Sequence, residues 1–461
     1  MTSRRSTRRI TFVVIVANLA VTATLAWLVT AYKPVDLVLD RSTWEAGTPS
    51  STYITAFATL RPWWERYAPE AIRVRPDGGI EHLVRIPRGE IEETGEEVLP
   101  SRGVGYYMIL GGLTAARSLF SGDLVFDFPF IVRFQRFLLI AALTLAPLAL
   151  WAVHPCFRRR STFLVYNVAC LPVLFLWPHR EKFLPDGIVD SAVANALAVL
   201  GACAFLLVAR HSALREPRSK TIVVASGLFL GFCSMVRGEF LLVYAFVLLF
   251  LAIVTLRDRK AWRGLAVVLV LLLLFPIANG LVNKTVHGHF VPFRMQSGQN
   301  LFEPIGQYPN PYGIEYRDKW IGDYLEQQGL EYFSFEADRF LTAKYFEALR
   351  ENPSLFFSNF HKRLRYFSGE LDVWLDVWTI PIVLLLVGFL AFRDDRFVRV
   401  SIPLVMAIGY LLLFGWLNKL LRLVTPAHFL IDIFFCFAAA YLLEVFRGKG
   451  LLPSFRKKKA A

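Results

Sequence analysis

The ionisable residues of this chain gather at a few places between long apolar runs, and their types suit proton transfer and anion binding. Asp36, Asp40 and Glu45 follow closely on the first apolar run. A carboxylate above a helix bundle can take the proton of a hydroxyl while a new bond forms. Asp36 and Asp40 lie four residues apart, so on a continuing helix they share a face, one as base and the other orienting it. Asp40 is the first choice as base, Asp36 its partner, and Glu45, beside Trp44, the third option. For each, the ordinary alternative is a solvated loop carboxylate.

The segment HREKFLPDGIVD holds His179, Arg180, Glu181, Lys182, Asp186 and Asp190 between two apolar runs. Pro185 followed by Asp186 reads as a helix start, with Asp186 a plausible cap. Asp190 then falls inside the helix, and both acids stand as reserve bases. Arg237 and Glu239 share the tight turn MVRGEF, and Lys419 and Arg422 lie in WLNKLLRLVTP. Cations at such turns suit a phosphate at headgroup depth; the alternatives are a turn stapled by an ion pair and plain snorkelling. Asp432 is a further acid within the last apolar run. His287 and His289 are two residues apart, a spacing that contributes to metal sites without defining one. The run from Gly298 to Gly306 lacks the GK[ST] ending of a phosphate-cradling loop. The sequon Asn283-Lys284-Thr285 opens the same region.

What must position these residues is membrane-like. Of 461 residues, 55% are hydrophobic and 19% charged, against about 25% charged in soluble domains, and the mean hydropathy is +0.45. The net charge of +14 would suggest nucleic acid in a soluble protein. Here the basic residues sit in short loops between apolar runs, which points to topology and to anionic lipid headgroups instead. Five cysteines (Cys156, Cys170, Cys203, Cys233 and Cys436) show no metal-ligand spacing and read as small apolar helix residues.

Spanning runs are expected at Thr11–Tyr32, Phe137–Val153, Thr162–Trp177, Gly187–Ala209, Ile222–Val236, Leu241–Leu256, Leu265–Val282, Trp378–Phe392, Ser401–Leu417 and Leu423–Phe446. The first follows Arg4, Arg5, Arg8 and Arg9 and reads as an uncleaved helix. With the N-terminus in the cytoplasm, one set of short loops carries Arg158–Arg160, then Arg210, Arg215, Arg218 and Lys220, then Arg257, Arg259, Lys260 and Arg263, then Arg393, Arg396 and Arg399. The opposite loops carry fewer cations, so the positive-inside rule holds throughout. The expected fold class is an all-α polytopic membrane protein with about ten transmembrane helices and two large extracytoplasmic loops bearing interfacial helices. Its parts are a basic tail (1–10), a first helix (11–32), a first outer loop (33–136), helices two to seven (137–282), a second outer loop (283–376), helices eight to ten (377–446) and a basic tail (447–461). Gly103–Phe120 reads as an interfacial helix, and helical periodicity runs over Tyr332–Arg350 and Pro353–Tyr366.

The chain resembles the GT-C superfamily of integral-membrane glycosyltransferases, of the type akin to dolichyl-phosphate-mannose–protein mannosyltransferases. The likeness lies in the first helix with its acid-bearing loop, in SRGVGYYMILGG, in LPDGIVDSAVANAL, in SGLFLGFCSMVRGEFLLV, in HGHFVPFRMQSGQNLFEP…NPYG and in NKLLRLVTPAHFL. The segment DLVLDRSTWEAG holds no Asp-Glu pair, and Arg422 is followed by Leu423 where the family has Tyr. The resemblance implies transfer of a sugar from a polyprenyl-phosphate donor to a hydroxyl of a glycan, lipid or protein at the outer face, with inversion. Arg237, Lys419 and Arg422 would then neutralise the departing lipid phosphate. Some relatives use a divalent metal and others do not, so a cofactor stays open. Other readings are an O-antigen-type ligase or polymerase, a secondary transporter, and a membrane scaffold without chemistry. No nucleic acid partner is expected.

Overall fold

The computed structural model describes residues 128–153, 190–255, 258–293, 297–330, 334–370, 400–417 and 425–434, with isolated positions elsewhere. Apart from a two-residue antiparallel pairing of β1 (Arg73–Val74) with β2 (Ile80–Glu81), every described element is helical. The first helix, the spans at Thr162–Trp177 and Trp378–Phe392 and both tails lie outside the described residues, Ala20 excepted. Of Gly103–Phe120, only positions 108–109, 112–113 and 116 are described, all helical.

Helix α1 (Phe128–Val153) begins nine residues before the apolar run read from Phe137, so Arg133, Gln135 and Arg136 belong to the helix. Helices α2 (Asp190–His211), α3 (Pro217–Val236), α4 (Glu239–Val254) and α5 (Arg259–His287) follow. The apolar stretch from Ile222 to Leu256 is therefore two helices, as the charged turn suggests. Pro217 occupies the first turn of α3, where its missing N–H costs nothing. Asp258 caps α5 by accepting from the Lys260 N–H at 3.1 Å. Gly288 ends α5 at φ 76°, a left-handed position natural to glycine.

Among the described residues, three stretches are long and apolar enough to cross a bilayer: Val193–His211, Pro217–Val236 and Lys260–Thr285. Two shorter apolar helices, α4 and α10 (Ile402–Leu417), accompany them. Helix α3 lies between α2 and α5. A Cβ on Gly227 would meet the Leu271 side chain at 2.8 Å, and one on Gly231 would meet the Leu271 carbonyl at 2.7 Å. The Gly-x3-Gly spacing thus lets the α3 and α5 backbones approach, the route by which helices gain packing where lipid removes the hydrophobic drive. The bundle core is aromatic at its centre, with Phe205, Phe240, Tyr244 and Phe414 fully buried or nearly so. On the far side of α5, Val270, Leu274, Ile277 and Leu281 stay exposed, an apolar face suited to lipid.

After α5 the chain builds a small helical layer with its own core. It comprises α6 (Ser297–Phe302), a 3-10 turn (Glu303–Gln307), α7 (Asp318–Gln327), α8 (Phe335–Glu351) and α9 (Pro353–Glu370). The periodicity over Tyr332–Arg350 and Pro353–Tyr366 is realised as α8 and α9. Ser334 caps α8 by accepting from the Ala337 N–H at 3.1 Å. Glu336 and Asp338 occupy its first turn and Arg350 its last, each sign matching the helix dipole. Ala337, Leu341, Tyr345 and Ala348 recur at helical spacing and are buried with Phe302, Ile305, Ile321 and Leu325.

Candidate functional site

The α3–α4 turn is where a sequence-selected residue meets well-defined surroundings. Arg237 adopts an extended backbone (φ −146°, ψ 122°), which ends α3, and Glu239 opens α4 two residues later. The Arg237 guanidinium, 5% exposed, donates through Nη2 to Glu239 Oε1 at 2.9 Å. Glu239 is 14% exposed, so the pair sits near the surface of the bundle but largely out of water. Gly238 between them lies against the Phe293 ring, which a Cβ would meet at 3.1 Å.

Phe293 is held there by the end of α5. Asn279 Nδ2 donates to the Pro292 carbonyl at 3.1 Å, and Asn283 Nδ2 donates to the Val291 carbonyl at 2.6 Å. The sequon asparagine is thus a buried helix residue engaged with its own chain. Below the turn, Phe240 stacks at a tilt on Tyr244 (5.2 Å) and meets Tyr410 of α10 edge-on (6.0 Å, 84°). Tyr410 lies within electrostatic reach of both Arg237 and Glu239. Several kcal/mol per ion is the usual cost of drying such charges, which the 2.9 Å contact offsets.

The C-terminal end of α10 holds another buried cation. Arg363 of α9, 4% exposed, donates to four oxygens. Its Nη2 reaches the Pro304 carbonyl at 2.7 Å, and its Nε reaches Gln307 Oε1 at 2.9 Å. Its Nη1 reaches the Trp416 carbonyl at 2.6 Å and the Gly415 carbonyl at 3.4 Å. The last two are carbonyls at the α10 C-terminus, which lack helical partners and attract a cation. Burial pushes the guanidinium down to about 10, which still leaves it charged at neutral pH. Trp416 Nε1 adds a bond to the Tyr345 hydroxyl at 2.6 Å. The helical layer of residues 297–370 is therefore fastened to the end of α10, just before residues 418–424.

Of the sequence-predicted residues, Asp36, Asp40, Glu45, Asp186, Lys419 and Arg422 lie outside the described residues. Asp190 is the first residue of α2 and His287 the last of α5; their side chains are likewise undescribed. His289 stacks on Phe335 (4.0 Å, 11°). Among the described residues, no group of three or more His, Cys, Asp or Glu side chains could hold a metal ion. The Gly298–Gly306 run forms α6 and the 3-10 turn. The Gly298 N–H donates to Asp338 Oδ1 at 2.6 Å, and a Cβ there would collide with the Asp338 carbonyl, so the run serves α8. Asp432 is half-buried in the helical segment 425–434. Cys203 and Cys233 are free thiols inside the bundle, as their apolar setting suggests.

Sequence reasoning missed two buried cations. Arg136 is almost fully enclosed within α1 although its sequence position reads as a loop end. Arg363 looks like one of several solvated bases in HKRLRYF. The signal for Arg363 was its register: Phe356, Asn359, Arg363 and Phe367 recur at three- and four-residue steps and all are buried. Compared with family models, with curated proteins and with solved structures, the chain finds no match.

Proposed function

We propose that this chain is a multi-pass glycosyltransferase of the plasma membrane, with cytoplasmic termini and about ten spans, that moves a sugar from a polyprenyl-phosphate donor to a hydroxyl acceptor at the outer face. The observation that carries the reading is Arg237. It is a desolvated cation, oriented by Glu239, at the end of an apolar helix pair and beside the start of the second long loop.

The chemistry is a single displacement. The acceptor oxygen attacks the anomeric carbon while its proton passes to Asp40, which Asp36 orients. The bond from the anomeric carbon to the phosphate oxygen breaks on the opposite side, so configuration inverts. The leaving group is polyprenyl phosphate, which departs with the bonding electron pair. Arg237, with Lys419 and Arg422, neutralises that charge as it develops. No covalent enzyme intermediate is needed.

The test is transfer from a panel of polyprenyl-phosphate hexoses and pentoses by membranes carrying the full chain, with protein level checked. Asp40→Asn is expected to lose about a hundredfold or more. The double variant Arg237→Ala, Arg422→Ala is expected to lose a similar factor. Full transfer by the double variant overturns the phosphate role, and a loss confined to Asp190→Asn moves the base. Orientation is tested by cysteines at Glu326 and Arg350. They are expected to react with an impermeant thiol reagent on intact cells, and reaction only after lysis inverts the topology.

A further inference from the structure

The helical layer of residues 297–370 contains a cleft of 220 Å³. One wall is α7, whose Trp320 and Tyr324 are four residues apart and stack nearly parallel (14°, 5.1 Å). Phe302 backs Tyr324 from beneath (19°, 5.9 Å), which fixes the aromatic pair as a rigid platform. The other wall is α8, which presents Lys344, Glu347 and Glu351 at three- and four-residue steps. Tyr312 closes one end, its hydroxyl donating to the Ala348 carbonyl at 3.1 Å. Lys344 and Glu347 pair at 2.7 Å while remaining 39% and 52% exposed, so both keep hydrogen-bonding capacity toward the cleft.

We infer that this cleft binds a monosaccharide unit of a neutral glycan. Three features select that chemistry. A pyranose offers an apolar C–H face that stacks on an aromatic ring and a rim of hydroxyls that both donate and accept. The cleft supplies a flat aromatic platform beside two carboxylate acceptors and one ammonium donor. The rim carries one positive and two negative groups, a balance that disfavours phosphates, anionic lipid headgroups and the lipid-linked donor itself. The volume falls below the roughly 300–1,000 Å³ of sites for drug-sized ligands, which suits one sugar ring. Used by a transferase, the cleft holds the growing glycan while its terminal hydroxyl reaches the base. That use rests on the transferase reading, whereas the binding itself does not.

The test is saturation-transfer NMR on the purified full chain in amphipol, with methyl mannoside, glucoside, galactoside and arabinoside as probes. At least one glycoside is expected to show transfer to its ring protons. Trp320→Ala is expected to weaken that binding about tenfold. Glu351→Gln, an exposed change that leaves the helical core alone, is expected to weaken it several-fold. No transfer to any glycoside, or equal signals in both variants, overturns the proposal, as does stronger binding of inorganic phosphate at the same residues. Binding kept in a protein that transfers no sugar leaves the cleft standing and removes the transferase reading. Transfer without glycoside binding does the reverse.

Discussion

Arg237 and Arg363 are both buried, and their partners differ in kind. Arg237 faces one carboxylate across 2.9 Å, whereas the four oxygens bonded to Arg363 are three backbone carbonyls and a side-chain amide, all neutral. A guanidinium on α9 spread over neutral oxygens of the 3-10 turn and of α10 acts as a fastener, because each bond fixes one element against another and none offers a counter-charge. The Arg237–Glu239 bond instead joins the two sides of one turn, so the carboxylate orients the guanidinium locally. The difference is between a cation that ties separated elements together and one that pairs within a single turn.

The largest expected effect follows from the fastener. Arg363→Ala strands the carbonyls of Pro304 and Trp416 in a buried site and is expected to cost about 3–5 kcal/mol. The measurement is the unfolding midpoint of the full chain in detergent, together with protease sensitivity of 297–370. Arg363→Lys is expected to recover less than half, because an ammonium cannot span the three elements at once. An unchanged midpoint in Arg363→Ala breaks the comparison from one side.

A smaller stability effect and a larger activity effect are expected at Arg237. Arg237→Ala leaves Glu239, which at 14% exposure can reach water, so the fold is expected to lose only about 1–2 kcal/mol. Glu239→Gln keeps a hydrogen bond but removes the counter-charge, and transfer is expected to fall about tenfold through loss of orientation. If Arg237→Ala unfolds as readily as Arg363→Ala, the two arginines play one role and the distinction collapses.

Much of the helical order was legible because apolar runs and charged breaks are local. The split at Arg237-Gly238, the capped α8 behind Ser334 and the Gly227–Gly231 contact all have signals within a few residues. The start of α1 was not, since Phe128 to Arg136 mixes apolar and basic residues and only enclosure tells a buried arginine from a snorkelling one. Arg363 was hidden for a related reason. Its partners lie 52 to 59 residues away, a separation no window of sequence samples. The acids after the first helix, and Lys419 and Arg422, rest on sequence alone.

The smallest expected effect refines the clamp without dismantling it. Arg363 binds Trp416 through the backbone carbonyl, so changing the Trp416 side chain leaves that bond in place. Trp416→Phe keeps an aromatic ring near Phe357 and Phe360, which lie 5.6 and 5.8 Å from the indole. What it removes is the Nε1 donor to the Tyr345 hydroxyl, a bond of 2.6 Å. One neutral hydrogen bond is worth about 0.5–1.5 kcal/mol, well below the loss expected for Arg363→Ala. Tyr345→Phe removes the same bond from the other side. If that bond is the shared interaction, the double variant loses less than the sum of the singles, with a coupling of about 1 kcal/mol in a double-mutant cycle. Strict additivity would place the effect in ring packing and leave the α8–α10 contact without a polar contribution from this pair.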